Sequence, residues 1–563
     1  MASVNRIVII GGNACGPKAA ARARRCDPHA RITIVEQGDY VSTATCGFPY
    51  YVSGVIAQKK SLFGRELDYF TNVFGVDVLT GTRAVAIDRR AHQVEIVNLK
   101  TNEKASLPYD KLVLATGSLP AVPNLPGKDL NGIFTMTRIG DALALRDLLA
   151  NYERKQAAVV GAGLIGLEMA EALKVLGFEV TVIEALNWAL PTLLDVEIAA
   201  QVEKHLRDKG VKVIFGQRVA GFEGDENNKV KRVMTKDGGF EAGLVLMALG
   251  VKPNVTLARE AGITIGKTGG IAVNEYLQTN DKDIYAGGDC VENVHLITKQ
   301  KVLVPLGSTA NKHGRVIGTN VTGGRETFLG VAGTAAIKVF DFNVARTGLS
   351  ETQAREAGYE VVTSLVPNYD HATYYPGYKE ITVKLIAEKK TGRLLGGQAV
   401  GPGDTAKRID VVATAISFGA SVDDLANTDL AYAPPYNSAL DPLHSAANVI
   451  RNKRAGLAKS LTPMEVRAKL DGGDDFILLD VRTKKEWDEK RIEAPQVKFL
   501  PVQELRARLD ELPKDAEIVV FCRSSVRAYQ SQRILEGAGF KKVKFMDGSI
   551  AGWPYGVDVA KPS

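Results

Sequence analysis

The sequence predicts an α/β protein, because a strand, a glycine turn, a helix and a second strand follow one another twice, at 7–36 and 157–184. A related unit lies near the C-terminus, where a strand at 517–521 leads through a short loop into a helix. Residues 326–450 mix strands and helices without this order, which indicates an α+β domain. A chain of 563 residues is too long for one hydrophobic core, so three or four domains are expected.

The first of these units has the spacing of a dinucleotide-binding unit. Its strands are expected at 7–10 and 31–35, and its helix at 17–25. Glycines let the backbone approach a pyrophosphate at the helix N-terminus, where N–H groups are unpaired. Glu36, directly after the second strand, would accept hydrogen bonds from an adenosine ribose. The turn contains Gly11, Gly12 and Gly16, with Asn13 in place of the middle glycine of G-x-G-x-x-G.

The second unit carries the complete glycine pattern. Its strands are expected at 157–160 and 179–183, and its helix at 167–176. Glu184 ends the second strand with no arginine close behind, which favours the 2′-hydroxyl of NADH without excluding NADPH. Two such units suggest two bound nucleotides and electron transfer between them. The glycines of the second turn are Gly161, Gly163 and Gly166.

The composition argues against several classes of protein. Hydrophobic residues make up 45% and charged residues 24% of the chain, which is ordinary for a globular protein. The net charge of +7 comes without a dense Lys/Arg run, so nucleic acid is not an expected partner. Five cysteines without regular spacing favour a reducing, cytoplasmic location over a disulfide framework. No leader peptide, membrane span or metal site is expected.

A single cysteine, Cys46, lies in a stretch rich in small and aromatic residues at 41–51. Gly47 and Pro49 predict that no ordinary helix passes through this stretch. The next cysteine downstream is Cys290, so a redox site here would form its disulfide with a group outside the local chain. A buried, unreactive thiol is the alternative.

Two further segments complete a familiar pattern: 109–117 ends in Ala-Thr-Gly, and 283–289 ends in Gly-Gly-Asp. Together with the two glycine units they resemble the pyridine nucleotide-disulfide oxidoreductases. The resemblance implies bound FAD, with Thr116, Gly117 and Asp289 among its contacts. The implied domains are a discontinuous FAD domain (1–114 and 251–325) and an NAD(P)H domain (115–250).

The stretch around Cys46 resembles the single-cysteine branch of that family, which includes coenzyme A-disulfide reductases, polysulfide reductases, NADH oxidases and NADH peroxidases. In this branch the cysteine lies over the flavin, on the face opposite the nicotinamide, and acts as a thiolate. The oxidases and peroxidases carry a histidine at the position of Ala14, so the coenzyme A-disulfide reductases fit better. Their coenzyme A contacts match Arg22, Arg25, Ser42, Asn311 and Arg315. A solvated helix face is the alternative for the two arginines of the first helix.

Residues 326–450 resemble the dimerisation domain of the same family, which implies a homodimer with a shared active site. In coenzyme A-disulfide reductases, two tyrosines of this domain reach the partner's site, where a phenol would hydrogen-bond or protonate the departing thiolate. Position matching selects Tyr374 and Tyr432, with Tyr375 and Tyr436 as competitors. Packing at the subunit interface is the alternative. The elements expected in this region are strands at 336–340, 380–385 and 394–400 and a helix at 406–418.

After a linker expected at 451–460, residues 461–563 resemble a rhodanese domain. Cys522 stands between a strand and a helix, where a ring of backbone N–H groups would stabilise its thiolate. Ser525 occupies the position of the usual loop glycine. An inert cysteine in a decayed domain is the alternative.

The length of the Cys522 loop bears on the group that it would bind. Related phosphatases have a longer loop with a histidine before it, whereas this loop has six residues and follows Phe521. The resemblance therefore favours sulfane sulfur over phosphate. Arg523 and Arg527 would stabilise an anionic persulfide.

The resemblance over the whole chain implies a fusion of a coenzyme A-disulfide reductase with a rhodanese. NAD(P)H would reduce FAD, and FAD would reduce a mixed disulfide or persulfide at Cys46. Coenzyme A disulfide, its persulfide and inorganic polysulfide all stay open as substrates, as does the direction of sulfur transfer at Cys522. The rivals are an NADH oxidase or peroxidase with a sulfur-sensing domain, and a flavoprotein redox sensor whose rhodanese domain recruits a partner protein.

Overall fold

The computed structural model describes residues 5–556, which alternate between strands and helices along their whole length. The strands of the first part are β1 (Arg6–Ile10), β2 (Arg31–Val35), β3 (Asp77–Leu79), β4 (Thr82–Asp88), β5 (Gln93–Asn98), β6 (Lys104–Pro108), β7 (Lys111–Leu114), β8 (Ser118–Pro120), β9 (Ile133–Phe134), β10 (Gln156–Val160), β11 (Glu179–Ile183), β12 (Lys212–Ile214), β13 (Val219–Gly224), β14 (Val230–Thr235), β15 (Gly238–Glu241), β16 (Leu244–Met247), β17 (Val251–Pro253), β18 (Ile284–Ala286), β19 (Asn293–Val294) and β20 (Lys301–Val302). The later strands are β21 (Ala335–Val339), β22 (Phe342–Gly348), β23 (Val361–Tyr369), β24 (Glu380–Glu388), β25 (Leu394–Gly401), β26 (Ser460–Leu461), β27 (Ile477–Asp480), β28 (Val497–Phe499), β29 (Ile518–Phe521) and β30 (Val543–Met546).

The helices follow the same order. They are α1 (Cys15–Cys26), α2 (Phe48–Val52), α3 (Ile139–Leu149), α4 (Leu164–Val175), α5 (Val196–Asp208), α6 (Thr256–Glu260), α7 (Gly307–Asn320), α8 (Glu351–Glu356), α9 (Ala406–Ser417), α10 (Val422–Ala426), α11 (Pro442–Arg454), α12 (Pro463–Asp471), α13 (Lys484–Glu489), α14 (Val502–Leu505) and α15 (Val526–Gly537). Short 3₁₀ helices occupy Thr45–Gly47, Lys59–Leu62 and Leu509–Glu511, and Tyr69–Val73 forms a π-helical turn.

The described chain forms two compact units, and each is made of two separate segments of the sequence. The first contains residues 5–185 and Gly216–Val331. The second contains Leu186–Phe215 and residues 332–556.

A parallel sheet in the order β18-β7-β1-β2-β3 organises the first unit. Its inner strands are almost wholly buried apolar residues, as expected for parallel strands covered on both faces. Burial of Ile9 and Ile34 contributes about 1.5–3 kcal/mol each relative to exposure. β4, β5 and β6, which lie between β3 and β7 in the sequence, form a separate antiparallel sheet.

A second parallel arrangement in this unit contains β11, β10, β16 and β9. β13, β14 and β15 form an antiparallel sheet whose side chains share a buried cluster with β10 and β16. The expected strands at 31–35 and 179–183 coincide with β2 and β11. Helix α1 begins at Cys15, two residues before its expected start, because a proline such as Pro17 is tolerated in the first turn of a helix.

In the second unit, an antiparallel sheet runs in the order β21-β22-β25-β24-β23. The three expected strands correspond to β21, β24 and β25, and the expected helix at 406–418 corresponds to α9. Helix α11 packs on β23 and continues to Arg454, into the segment that the sequence assigned to a linker.

A buried ion cluster joins this sheet to α5. The ammonium of Lys384 on β24 lies 3.1 Å from Asp195, 3.0 Å from Glu197 and 2.9 Å from Glu351. Burial opposes the charge of Lys384, but the carboxylates outweigh it and raise the pKa of the lysine. Gln398 on β25 also binds Asp195, with 2.7 Å between its amide nitrogen and the carboxylate.

The C-terminal part of the second unit is a parallel sheet in the order β26-β30-β29-β27-β28. Strand β29 is completely buried, and α15 packs on β29 and β30. The α/β architecture predicted from the sequence is therefore confirmed, with parallel sheets at each of the three strand–turn–helix units.

Candidate functional site

The first glycine turn lies between β1 and α1, and two of its glycines are required because neighbouring backbone packs closely against them. Gly11 has φ +113°, and a Cβ there would lie 2.1 Å from the Ala115 carbonyl oxygen. A Cβ on Gly16 would lie 1.9 Å from the Gly11 oxygen. The N-terminus of the 12-residue helix α1 has no side-chain cap, which leaves its N–H groups for an anion.

Glu36 ends β2 beside this turn. One carboxylate oxygen accepts the Gly12 N–H at 2.7 Å, and the other accepts the Gly38 N–H at 2.7 Å. These bonds hold the carboxylate at the turn, where its remaining lone pairs suit a ribose. The geometry fits the adenosine end of a dinucleotide such as FAD.

A second set of polar groups follows β7 and β18, which are neighbouring parallel strands. Thr116 and Gly117 follow β7, and Thr116 donates to the Asn254 carbonyl at 2.7 Å. Asp289 follows β18; burial raises the pKa of its carboxyl, and Ser118 donates to it at 3.1 Å. Because the ends of parallel strands meet at one edge of a sheet, these residues and the first glycine turn share an edge.

His313, which the sequence reasoning missed, supports this edge from α7. Its Nδ1 accepts the Gly288 N–H at 3.1 Å, and its ring meets Phe328 edge-on. Burial lowers the pKa of His313 to about 4, so the ring is neutral and free to accept that bond.

Cys46 lies in the 3₁₀ turn Thr45–Gly47, which continues directly into α2. The expectation that no helix passes through this stretch is wrong, because Pro49 falls in the first turn of α2, where a missing N–H costs nothing. Cys46 is exposed, and Ser42 is held by bonds from its N–H to the Gly12 oxygen and from the Gly64 N–H to its carbonyl.

An acid lies close to this thiol. α2 packs against α4, and the Tyr50 hydroxyl lies 3.2 Å from the Glu168 carboxylate on α4. Burial, together with nearby Glu171, raises the pKa of Glu168 to about 7, although the bond to Tyr50 lowers it. Although part of Cys46 is exposed, the surrounding protein partly desolvates its thiol; this desolvation and then the charge of Glu168 raise the pKa of Cys46. Sequence reasoning missed Glu168, which lies in the helix of the second glycine unit.

The second glycine turn repeats the geometry of the first. Gly161 has φ +108°, and a Cβ there would lie 2.4 Å from the Ala248 oxygen, while a Cβ on Gly166 would lie 2.0 Å from the Gly161 oxygen. Gly163 instead faces open space. The Ala162 N–H donates to Glu184 at 2.8 Å. The turn therefore fits a second nucleotide at the start of α4.

Four of the five residues matched to coenzyme A lie on α1 and α7, which pack backbone to backbone. Cβ atoms on Gly314 and Gly318 of α7 would lie 2.5 Å from α1 carbonyl oxygens. Asn311 and Arg315 therefore lie on a helix that packs against the helix of Arg22 and Arg25. Ser42 lies instead in the stretch around Cys46.

These polar residues already have partners in the chain. Arg22 donates to Thr319 at 2.9 Å, and Arg315 lies 3.3 Å from Glu326. The guanidinium of Arg25 lies 5.4 Å from the centre of the Phe74 ring, and Asn311 donates to the Gly307 carbonyl. A bound anion would have to compete with Glu326 for Arg315.

The two tyrosines selected from the sequence meet in the second unit. Their hydroxyl oxygens lie 2.9 Å apart, and this hydrogen bond raises the pKa of Tyr374. Tyr374 is 74% exposed and Tyr432 is 51% exposed. Tyr375 instead packs edge-on against His371.

Cys522 follows β29 directly and is 1% exposed. The loop after it leads into the 12-residue helix α15 through Ser525, which has φ +75°. Left-handed backbone is the reason that glycine is usual at this position. The Cys522 N–H donates to the Ser549 hydroxyl, which the sequence reasoning also missed.

The two arginines of the Cys522 loop have different environments. Arg527 makes a two-bond ion pair with Glu486, at 2.7 and 2.6 Å, and its pKa is raised mainly by that pair and further by Cys522. Arg523 points away to bind Glu380, and its guanidinium lies 5.1 Å from the centre of the Tyr369 ring. The structure thus associates Arg527, but not Arg523, with the thiol.

Two kinds of feature are absent from residues 5–556. No helix in this range is long and apolar enough to cross a membrane. In the same range, no group of three or more His, Cys, Asp or Glu side chains could hold a metal ion.

Comparison with known proteins matches the same three regions. Residues 5–314 match the pyridine nucleotide-disulphide oxidoreductases, 334–443 match the dimerisation domain of that family, and 462–554 match the rhodanese-like domain. The chain is similar to the structure of a NAD-dependent persulfide reductase from A. fulgidus, with 46% identity and a TM-score of 0.93, over 97% of this chain and 100% of that one.

Two relatives with nearly the same sequence identity to this chain are named for different activities. A NAD(P)H coenzyme A polysulfide/persulfide reductase of Pyrococcus horikoshii is 37% identical over 446 residues, or 79% of this chain and 98% of the relative. An NADH oxidase of Methanocaldococcus jannaschii is 36% identical over 442 residues, or 78% of this chain and 98% of the relative. The chain belongs to the pyridine nucleotide-disulphide oxidoreductase family.

Proposed function

We propose that this protein is a FAD-containing, NAD(P)H-dependent reductase of disulfides, persulfides or polysulfides, with coenzyme A as the bound thiol or the thiol part of the substrate. The observation that carries the proposal is the exposed Cys46, which forms no disulfide with any of the other four cysteines and lies in a unit with two nucleotide turns. The names of the A. fulgidus and P. horikoshii proteins support the substrate class.

The residues that would hold the nucleotides follow from the two turns. Bound FAD supplies the two-electron relay between NAD(P)H and sulfur. The residues proposed for FAD are Gly11, Gly12, Gly16, Glu36, Thr116, Gly117 and Asp289, and those for NAD(P)H are Gly161, Gly163, Gly166 and Glu184. Arg22, Arg25, Ser42, Asn311 and Arg315 are the proposed contacts to coenzyme A.

Cys46 is the proposed nucleophile. Its thiolate attacks the inner sulfur of R–S–SH, the S–S bond breaks, sulfide leaves as HS⁻, and Cys46–S–S–R forms. Two electrons then cleave this disulfide to the Cys46 thiolate and R–S⁻. With proton uptake the sum is R–S–SH + NADH + H⁺ → R–SH + H₂S + NAD⁺. Glu168, with a pKa of about 7, is suited to hold a proton near this thiol through Tyr50.

Cys522 is the proposed carrier of sulfane sulfur, and Arg527 supplies a positive charge beside it. Joining two sulfur sites in one chain raises the effective concentration of each for the other. A cytoplasmic location is part of the proposal, since all five cysteines are free thiols.

The proposed assembly is a homodimer. The match to a dimerisation domain and the exposure of the hydrogen-bonded Tyr374–Tyr432 pair support it. In the proposal this pair serves the active site of the partner subunit, where a phenol donates to the departing thiolate.

NADH consumption with a panel of oxidants tests the function. Coenzyme A persulfide, coenzyme A disulfide, polysulfide, oxygen and hydrogen peroxide are compared at equal concentration, and the mass of any adduct on Cys46 is determined. We expect turnover with at least one sulfur substrate to exceed that with oxygen and peroxide by about tenfold or more. Equal or faster turnover with oxygen would contradict the proposal.

The proposed role of Cys522 as a carrier of sulfane sulfur has its own test. Cys522→Ser is expected to slow turnover of polysulfide or a persulfide while leaving coenzyme A disulfide reduction unchanged. Unchanged turnover of every polysulfide and persulfide by this variant would contradict the proposed role of Cys522 as a sulfur carrier.

The second candidate function is an NADH oxidase, which the name of the M. jannaschii relative favours. Ala14 argues against it, because the position lacks the histidine of that branch. The oxidant panel above separates the two.

A further inference from the structure

Two serines beside Cys522 adopt a backbone conformation that serine rarely takes. Ser525 has φ +75° and Ser549 has φ +50°. Left-handed backbone is uncommon outside glycine and is strained for other residues. A glycine would avoid this strain at either position, so the hydroxyl groups call for an explanation.

Topology brings Ser549 to the cysteine across 27 residues of sequence. Cys522 follows β29 and Ser549 lies just after β30, and these strands are parallel neighbours whose carboxyl ends share one sheet edge. Two backbone bonds fasten the loops together: the Ile550 N–H donates to the Cys522 oxygen at 3.1 Å, and the Ala551 N–H donates to the Arg523 oxygen at 2.9 Å. Ser549 is therefore fixed against the cysteine and is completely buried.

The contacts of the Ser549 hydroxyl leave its single hydrogen a choice of acceptors. The oxygen accepts the Cys522 N–H at 3.1 Å. The hydrogen can go to the Met546 carbonyl, at 3.2 Å, to the Ser525 hydroxyl oxygen, at 3.4 Å, or to Cys522 Sγ, at 3.9 Å. The Ser525 hydroxyl also donates to the Met546 carbonyl, at 3.1 Å. That carbonyl therefore keeps a donor when the Ser549 hydrogen turns to the sulfur.

We propose that Ser549 is a hydrogen-bond donor to the reacting sulfur of Cys522, and that its hydroxyl turns from the Met546 carbonyl to Sγ when the sulfur becomes an anion. This inference rests on the proposed role of Cys522 as a sulfur carrier. The Cys522 thiolate attacks the outer sulfur of R–S–SH, the S–S bond breaks, and R–S⁻ leaves while Cys522–S–SH forms. A buried anion needs donors that water cannot supply, and the Ser549 hydroxyl adds one to the guanidinium of Arg527.

The test uses the full-length, FAD-loaded protein after reduction with NADH. Ser549→Gly and Ser549→Ala both remove the hydroxyl, but only the glycine variant relieves the backbone strain. Ser531→Ala is the matched control: Ser531 is a completely buried serine on α15 whose hydroxyl has no hydrogen-bond partner within residues 5–556. Mass spectrometry follows iodoacetamide alkylation of the Cys522 peptide between pH 5 and pH 10, and thiosulfate serves as the sulfane donor.

We expect both Ser549 variants to need a higher pH for half-maximal alkylation, with sulfane uptake about 5- to 10-fold slower, as for the loss of one hydrogen bond. Ser531→Ala should match the wild type. An unchanged profile in both Ser549 variants, or a change in only one of them, would overturn the inference. The proposed carrier role fails separately, if the wild type takes up no sulfane sulfur while its alkylation profile still depends on Ser549.

Discussion

The two cysteine loops of this protein treat a thiol in opposite ways. Cys46 is exposed and leads into the five-residue helix α2, and both local burial and the charge of Glu168 oppose its ionisation. Cys522 is buried in the loop between β29 and the 12-residue helix α15, with the Ser549 hydroxyl and Arg527 close by. The chain thus supplies an acid at Cys46 and hydrogen-bond donors at Cys522. This difference suits a thiol that exchanges protons during reduction and a thiol that holds an anion.

The largest expected effect is that loss of the Cys46 thiol abolishes reduction but leaves the reactivity of Cys522 unchanged. Cys46→Ser should lower NADH-dependent reduction of every sulfur substrate by about a thousandfold or more, because a hydroxyl is a poor substitute for the nucleophilic thiolate. Alkylation of Cys522 in the same variant should be normal. Cys26→Ser, at the exposed end of α1, is the control for cysteine loss. Substantial turnover by Cys46→Ser would show that the cysteine is not the nucleophile.

The next effect concerns charge at the buried loop. Arg527→Met should slow uptake of sulfane sulfur by Cys522 about 10- to 100-fold, since a hydrogen bond to a charged group contributes about 1.5–3 kcal/mol. Arg533→Met, which removes an exposed arginine from the same helix, is the matched control. Uptake is measured by the mass of the Cys522 peptide after exposure to thiosulfate. Equal rates in the two variants would contradict a role for Arg527.

A pH profile sharpens the contrast at Cys46. As pH rises through about 7, Glu168 becomes negative and opposes ionisation of the thiol, so the alkylation rate of wild-type Cys46 should rise late and gradually. Glu168→Gln removes that charge, and its profile should lie at lower pH and follow a single ionisation. Glu153→Gln, at an exposed position, should behave as wild type. A profile unaffected by Glu168→Gln would mean that its charge does not reach Cys46.

The smallest effect concerns the paired tyrosines, which should influence Cys46 chemistry alone. Tyr374→Phe and Tyr432→Phe each remove one hydroxyl of the pair and should lower kcat about 2- to 10-fold, as for the loss of one hydrogen bond. Neither change should alter alkylation of Cys522. Steady-state kinetics with the best sulfur substrate provides the measurement. A larger loss in Tyr375→Phe would mean that position matching selected the wrong tyrosine.

Short sequence patterns predicted many of the strands and helices of this structure. β2 and β11 were located to the residue, because a buried strand between a helix and an acid is recognisable from neighbouring residues alone. The contact between Tyr50 and Glu168 spans 118 residues and depends on how α2 packs on α4, which no local pattern encodes. Ser549 was within reach, since residues after neighbouring parallel strands meet at one edge, but the strand order had to be known first. Pro49 misled because its effect depends on where a helix begins.

Lys384 limits how this chain can be divided. Two of its three carboxylates, Asp195 and Glu197, come from the segment 186–215, far upstream of the sheet that contains the lysine. A fragment beginning at Ala332 would bury an ammonium group with Glu351 as its remaining partner, and stripping partners from a buried ion costs about 3–5 kcal/mol. We therefore expect a fragment cut out as one uninterrupted piece from Ala332 onward to be less stable than the same region in the full chain, although its strands follow one another without a break from β21 onward.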